Sequence, residues 1–542
     1  MGAFVHPRFA PAPRAGCDGA RVPVAIVGAG PVGLALAIDL AQRDVPVIVL
    51  DEDETVSFGS RAICWSKRTL EIFDRLGVGD AVVAKGVQWN TGRVFFGERE
   101  VFHFDLAPEP GFHRPAFVNL QQYHVESMLV ARARALPTCM LRFGHRCVGV
   151  EPGADGVRVA VETAEGAYAF DCDWLVASDG ARSTVRHALG LEAEGRAFHD
   201  RFLIADIRMT SAFPAERWFW FDPPFHRNQS ALLHRQADDV WRLDFQLGAE
   251  ADAEAERQPD RIAGRVRAML GAHAQFEIEW ASVYTFQCRR MARFRHGRVV
   301  FAGDAAHLVS PFGARGANGG VQDADNLGWK LAHVIAGVAP PALVDTYDAE
   351  RGAAADENIG HSTRATDFIS PKTAASRRYR DAVLELARHH AFARQWVNSG
   401  RLSAPAVLQA STLNTSDAGG EFDAASDAAR PGAVAPDAPL AGEASWLIEC
   451  LGGGFALIAY DAEIAADARR ALRERAACGV VDVGANGGAG RLGDRDGHVA
   501  RRYDMRAGTC YLVRPDQHVC ARWRAFDVAA VCAAVERATA RR

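Results

Sequence analysis

Residues 22–27 form a short apolar run that stops at Gly28, residues 34–40 place apolar side chains at helical spacing, and residues 45–50 form a second apolar run closing on Asp51. A brief continuous apolar run bounded by turn residues reads as a buried strand, and the 3.6-residue period between two such runs reads as a helix. Strand, helix and strand at this spacing predict a βαβ unit. Two later runs break off in the same way. Trp174-Leu175-Val176-Ala177-Ser178 leads into Asp179-Gly180, and Val299-Val300-Phe301-Ala302 leads into Gly303-Asp304. Between them, residues 200–290 alternate apolar and polar positions, with aromatics at Trp218, Phe219, Trp220, Phe221, Trp241 and Phe245. That pattern predicts a sheet with one covered face. From Val321 the positions Leu327, Leu331, Val334 and Ile335 fit a helix, and helical spacing persists to about residue 400.

The resulting fold class is α/β, with a GxGxxG Rossmann-like nucleotide-binding domain in two parts, 23–198 and 291–402. A mixed sheet domain over 199–290 is interleaved with it. Residues 403–445, rich in Ala, Asp, Pro, Gly and Ser, are expected to be a linker or extended arm before a compact segment at 446–542. Residues 1–22 lack a continuous apolar core and are expected to be a disordered extension, not a signal peptide.

Composition narrows the function. With 62 Lys+Arg against 67 Asp+Glu the net charge is −5, which argues against nucleic acid as the main partner. No run of about 18 apolar residues suggests a membrane span. The eleven cysteines show neither CxxC nor zinc spacing, as expected of reduced thiols in a cytoplasm, and no metal site is expected.

Three glycine-bearing clusters carry the chemistry. In Gly28-Ala29-Gly30-Pro31-Val32-Gly33, Gly28 permits the turn and Gly30 lets backbone approach a pyrophosphate. Pro31 belongs with these glycines among the cofactor-binding candidates, and Gly33 lets helix pack on strand. Asp51 would accept hydrogen bonds from ribose hydroxyls. Asp179-Gly180-Ala181-Arg182-Ser183 is either a capped turn or a loop over the pyrophosphate with Arg182 beside it. In the third cluster, Gly303 and Asp304 end a strand, with Asp304 suited to a polyhydroxyl chain. Pro311 and the loop through Gly316, Ala317 and Asn318 would lie beside a flat ring, and the following helix would point its positive end there. Read together, the clusters point to one FAD, non-covalent because no His or Cys stands as an attachment point.

In this order the clusters resemble the class A flavoprotein aromatic hydroxylases, the family of para-hydroxybenzoate hydroxylase, over roughly residues 23–400. Within that family the look is that of the 3-(3-hydroxyphenyl)propionate hydroxylase branch. The stretches Val283-Tyr284-Thr285-Phe286-Gln287 and Asp323-Ala324-Asp325-Asn326-Leu327-Gly328-Trp329-Lys330-Leu331 carry it. The resemblance implies an enzyme that uses FAD, NADH or NADPH, and O2 to hydroxylate a phenolic ring through a flavin C4a-hydroperoxide. Its substrate would be a small aromatic such as a phenolic acid, and the protein could form a homodimer. By the same resemblance Asp304 matches the ribityl-binding aspartate, and Asp179-Gly180 a motif serving both FAD and the nicotinamide. Arg61 matches an arginine near the hydride path, and Gln122 a residue reaching FAD. Residues 446–542 resemble the thioredoxin-like tail of phenol hydroxylases, without CxxC.

His234 and Tyr284 are candidates to hydrogen-bond a substrate hydroxyl. Trp218, Trp220 and Phe221 could wall the pocket, and Arg235 or Arg242 could hold a carboxylate. Baeyer–Villiger oxidation, hydroxylation of a polyketide-type aromatic, halogenation, and non-catalytic FAD binding stay open as alternatives.

Overall fold

The computed structural model describes residues 4–11, 19–59, 61–106, 109–397, 402–417, 422, 424–488 and 490–541. Its first sheet has a parallel core. Strands run in the order Val299–Phe301, Gly166–Ala177, Arg21–Val27, Val47–Asp51 and Cys139–Phe143, each parallel to its neighbour. Val299–Phe301, residues 47–50 and the ends 24–27 and 174–177 of the longer strands are buried on both faces, which is why they read as continuous apolar runs rather than alternating ones. Helices Pro31–Gln42 and Gly316–Ile335 pack against each other beside them.

The three glycine clusters converge because their strands are neighbours. Ser178 N donates to Val27 O at 2.8 Å, and Ala302 N donates to Ala177 O at 2.9 Å, so all three turns leave the same edge. Ligands of open α/β sheets bind at that C-terminal edge.

A second sheet faces this edge. Its order is His307–Leu308, Glu277–Met291, Ala193–Arg208, Val240–Leu247, Ser230–Arg235, Arg217–Phe221, Thr91–Phe96 and Arg99–Asp105. The period-two pattern is explicit on its strands. Leu203, Ala205, Ile207, Trp241, Leu243 and Phe245 pack into one core with Ile262 and Val266 of helix Pro259–Leu270. Ile204, Asp206, Arg242 and Asp244 take the opposite face. Two strands of this sheet, Thr91–Phe96 and Arg99–Asp105, come from far upstream of the 199–290 segment.

A third sheet runs Leu440–Ala441, Leu492–Asp494, Cys478–Gly484, Phe455–Tyr460, Cys510–Val513 and Val519–Trp523. Helices Ala466–Ala476 and Val528–Ala538 pack on one face. Residues 403–445, expected as a linker, are a packed strap where they are described. Leu408, Leu413, Ala435 and Ala438 are buried, and Leu440 joins the sheet edge.

The N-terminal expectation is corrected in part. Phe9 is buried and stacks on Phe143 at 4.3 Å, Phe4 stacks on Tyr123 at 4.5 Å, and Phe9 N donates to Glu54 O. Residues 4–11 are docked, because the two aromatics find an apolar surface. Residues 1–3 and 12–18 of that call lie outside the described residues.

Candidate active site

A cavity of about 500 Å³ lies between the C-terminal edge of the first sheet and the polar face of the second. Two helix N-termini meet it. Helix Pro31–Gln42 begins at Gly30 with no side-chain cap, and helix Gly316–Ile335 begins at Arg315, also uncapped. Their first N–H groups, unsatisfied by the protein, favour anionic groups.

The glycines divide into two kinds. Gly28 has φ +106°, and a Cβ there would lie 2.5 Å from Ser178 O, while a Cβ at Gly33 would collide with Gly28 O. Both are required by chain packing. A Cβ at Gly30 meets nothing within 4 Å, nor does one at Gly180. Those two front open space, where a ligand would come close to backbone.

Asp51 ends its strand with one carboxylate oxygen accepting from Ala29 N at 2.6 Å and the other from Asp53 N at 2.9 Å. Burial raises its pKa to about 6. Asp304 is held differently. The Gly303–Ala305 turn that carries it is pinned by Asp323, which accepts from Gly303 N at 3.0 Å, from His307 Nε2 at 2.7 Å and from Arg351 Nε at 2.6 Å. Asp304 itself lines the cavity and makes no hydrogen bond to the described residues. Burial raises its pKa, and His307 and Arg61 counter that in part. A carboxylate fixed by its turn and unpartnered in a cavity has the donor set of a ligand site.

The family follows from this geometry and from sequence. Residues 21–362 match the FAD-binding domain family. The chain belongs to that family of flavin-dependent monooxygenases. It is 31% identical to the 3-(3-hydroxy-phenyl)propionate/3-hydroxycinnamic acid hydroxylase of Mycolicibacterium smegmatis, over 67% of this chain and 64% of that protein's length. It is 34% identical to the 12-dehydrotetracycline 5-monooxygenase/anhydrotetracycline 6-monooxygenase of Streptomyces rimosus, over 68% of this chain and 73% of that one. Among solved structures, aklavinone-11 hydroxylase in a ternary complex with FAD and aklavinone superposes with TM-score 0.77 at 25% identity. That superposition covers 96% of this chain and 99% of that one.

Around the cavity of this flavoprotein stand Gly30, Pro31, Arg61, Gln122, Arg182, His234, Tyr284, Asp304, Pro311, Gly316, Ala317 and Asn318. Gly28, Gly33, Asp51, Asp179 and Gly303 stand one layer behind. Asp179 Oδ2 accepts from Val185 N at 3.1 Å at the start of helix Thr184–Ala188, while its Oδ1 has no hydrogen-bond partner among the described residues. Arg182 is exposed at the mouth and has no partner among the described residues. The Asn318 side chain is engaged by the protein. It donates to Cys64 O and Ala314 O and accepts from Ser66 N and Thr69 Oγ1, which leaves its backbone for a ligand. Gln122 braces the Arg61 loop, accepting from Ala62 N at 3.0 Å and donating to Glu126 at 2.8 Å. Arg61 Nε donates to the Tyr284 hydroxyl at 3.3 Å.

Several substrate-side expectations are corrected. Arg242 is buried and donates to Asp206 at 2.8 and 2.7 Å, so its charge is already neutralised. Arg235 pairs with Asp239 and does not reach the cavity. Trp218 and Trp220 pack with Phe95 instead of walling the site, and Phe221 lines a small neighbouring pocket. His234 is buried on the cavity wall, 3.8 Å from Cys64 Sγ. Burial, with Arg217 and Arg242 nearby, pushes its pKa well down, so it is a neutral imidazole. Arg217, Asp244 and the turn-pinning Asp323 were missed. The only sequence signal was a charged residue at each of two inward positions of alternating strands.

Among the described residues no helix is long and apolar enough to cross a membrane, and no cluster of His, Cys, Asp or Glu is arranged to hold a metal.

Proposed function

We propose that this protein hydroxylates a phenolic ring, with NAD(P)H and O2 as co-substrates and a phenolic acid as the preferred substrate class. The observation that carries the reading is the cavity itself. On one side is the strand edge where Asp304 has no hydrogen-bond partner among the described residues, and on the other a sheet face bearing neutral, cationic and anionic hydrogen-bonding groups. FAD, when bound and reduced, activates dioxygen and supplies one oxygen atom to an electron-rich ring.

The chain's own residues do the rest. The Gly30 and Gly180 turns would admit the pyrophosphate, Asp51 at its strand end would meet the adenosine ribose, and Asp304 would accept from the ribityl hydroxyls. The start of helix Gly316–Ile335 stabilises negative charge on the ring. Arg61, held by the Tyr284 hydroxyl, would guard the side by which a nicotinamide approaches, and Pro311 would lie beside the flavin ring. His234, a neutral imidazole, accepts or donates one hydrogen bond to a substrate hydroxyl, helping the phenol toward phenolate against its ordinary pKa near 10. The two sheets exclude water from the reacting atoms.

The C-terminal sheet, with a parallel central pair, an antiparallel hairpin and helices on its flanks, reads as a thioredoxin-like module without redox function. Its described cysteines are free, and burial pushes Cys478 and Cys510 up to about 12. A fused polycyclic phenol is the second reading, favoured by the 34% identity to the tetracycline monooxygenase.

The test is a panel of phenolic acids, simple phenols, polycyclic phenols, ketones and halide. NAD(P)H and O2 consumption are measured, and products are identified by mass. One hydroxylated product per NAD(P)H from a phenol supports the reading. Transformation of the ketone or halide alone, or no stimulation by any phenol, overturns it.

A further inference from the structure

Three charged side chains of the second sheet line the cavity, Arg217 on one side of strand Ser230–Arg235 and Arg242 and Asp244 on the other. In the cross-strand row Arg217, His234 and Arg242 stand side by side. Arg242 is answered by Asp206 at 2.7 Å. The other two have no such direct partner, although Asp244 lies within the field of both arginines. Arg217 makes no hydrogen bond or ion pair with the described residues, and its Nη1 is enclosed without a partner; the same holds for Oδ1 of Asp244. The two feel each other's field without touching, and burial lowers the Arg217 pKa while it raises that of Asp244 to about 6.

No hydrogen bond answers the Arg217 guanidinium among the described residues, and the field of Asp244 offsets its burial only in part. The neutral His234 supplies no counter-charge, and beyond Arg217 lies a small pocket of about 30 Å³ walled by Phe104, Phe219, Phe221 and Phe312. An enclosed guanidinium without a hydrogen-bonded counter-charge is unfavourable in the empty protein. Its planar fork matches a carboxylate with two parallel hydrogen bonds.

Resting on the hydroxylase reading, we propose that Arg217 is the specificity-determining residue that anchors a substrate carboxylate, and that Asp244 accepts a hydrogen bond from a hydroxyl on the same molecule. The substrate is thus gripped at two points on one sheet face, and the grip decides which ring carbon is presented to the cofactor edge. Neutral phenols enter the same cavity but lose the Arg217 contact, so they bind weakly and are hydroxylated with poor coupling to NAD(P)H.

The experiment uses the FAD-loaded full chain with 3-(3-hydroxyphenyl)propionate, 3-hydroxycinnamate and 3-hydroxybenzoate, each against its methyl ester. Binding is read from perturbation of flavin absorbance, and coupling from product formed per NAD(P)H. In the unaltered protein at least one acid should bind about 10–100-fold more tightly than its ester, the range of a charge-assisted hydrogen bond. Arg217→Gln should remove that preference, weakening the acid by the same factor and the ester by less than about threefold, with FAD content unchanged. Arg217→Lys should restore part of it. Equal binding of acids and esters by the unaltered protein overturns the anchor whether or not a variant folds, and so does equal weakening of both by Arg217→Gln. Turnover of the esters without acid preference would sink the anchor alone. Absence of turnover with every phenol would sink the hydroxylase reading beneath it.

Discussion

The molecule buries charge in two places and treats it in opposite ways. At the junction of the first and third sheets, Arg514 is fully enclosed and donates to Glu350 at 2.6 and 3.1 Å, and also to Asp516. Lys330 donates to the same Glu350 at 2.6 Å, Asn326 joins Glu350 to Asp516, and Arg68 donates to Asp325 at 2.8 Å and Gln517 at 2.7 Å. Around the cavity, Asp304, Asp244 and Arg217 have no such answers. The residue types are the same in both places. Pairing is what separates charge that fixes two domains from charge that waits for a ligand. The comparison predicts that breaking a junction pair costs folding, whereas removing a cavity charge costs binding and leaves folding alone or improves it.

The largest effect should come from Glu350→Gln. Against the burial that opposes its ionisation, Arg514 and Lys330 hold Glu350 below the ordinary carboxylate range. Removing its charge leaves Lys330 without its ion-pair partner and Arg514 with Asp516 alone, at about 3–5 kcal/mol for a broken buried pair. The denaturant midpoint of the FAD-loaded protein should fall accordingly, with the C-terminal sheet detaching first in limited proteolysis. An unchanged midpoint would show that the junction pairs contribute nothing net, and the contrast with the cavity would collapse.

Much of this arrangement was legible in the chain. The parallel core announced itself as uninterrupted apolar runs, and the three strand ends as Gly or Asp-Gly punctuation, because local sterics and burial write directly into sequence. The junction was not legible. Asp325, Asn326 and Lys330 look like the solvated side of a helix until the third sheet covers them, and a partner about 190 residues away leaves no local trace. For the same reason the strands at Thr91–Phe96 and Arg99–Asp105 could not be assigned to a sheet that begins a hundred residues later. Arg217 and Asp244 sat in a correctly read alternation, but alternation reports which face a side chain takes and not whether it finds a partner there. Arg242 occupies the same pattern and is neutralised by Asp206.

Asp304→Ala should come second in size and opposite in kind. The carboxylate has no partner to lose among the described residues, so the unfolding midpoint of the FAD-free protein should stay where it is. Affinity for FAD should drop by about 10–150-fold, matching 1.5–3 kcal/mol for a hydrogen bond to a charged group. Equilibrium dialysis against FAD, with the FAD-free midpoint beside it, checks both halves. A lowered midpoint in the apoprotein would move Asp304 into the class of junction charges.

Asp244→Asn sharpens the comparison through pH. Burial raises the native pKa of Asp244 to about 6, against about 3.9 in an unfolded chain. Between those values the folded protein keeps a proton that the unfolded chain has released, so stability falls as pH rises through the window and the loss is complete above about 6. Asp51, raised to about 6 as well, adds a parallel share. Asp244→Asn should therefore flatten the decline only in part, leaving the substrate-free protein about 1–2 kcal/mol more stable at pH 7.5 and little changed near pH 4. Denaturant titrations at the two pH values decide it. A loss of stability at pH 7.5 would mean that the carboxylate is paired after all.

The smallest effect is expected from Arg182→Ala. Arg182 lines the mouth of the cavity beside the Gly180 turn, where the proposed pyrophosphate would pass, but it is exposed and water competes for its charge. Exposed ion pairs are typically worth about 0.2–1 kcal/mol, so FAD should bind only about 1.5–5-fold more weakly. At a Debye length of about 10 Å in 0.1 M salt and about 3 Å at 1 M, that difference should shrink with ionic strength. The Asp304→Ala deficit comes from an enclosed group and should persist. Running both variants through one salt series turns burial into the measured variable. A salt-independent loss for Arg182→Ala would place its guanidinium in direct, desolvated contact with the cofactor, and the division between mouth and interior would have to be redrawn.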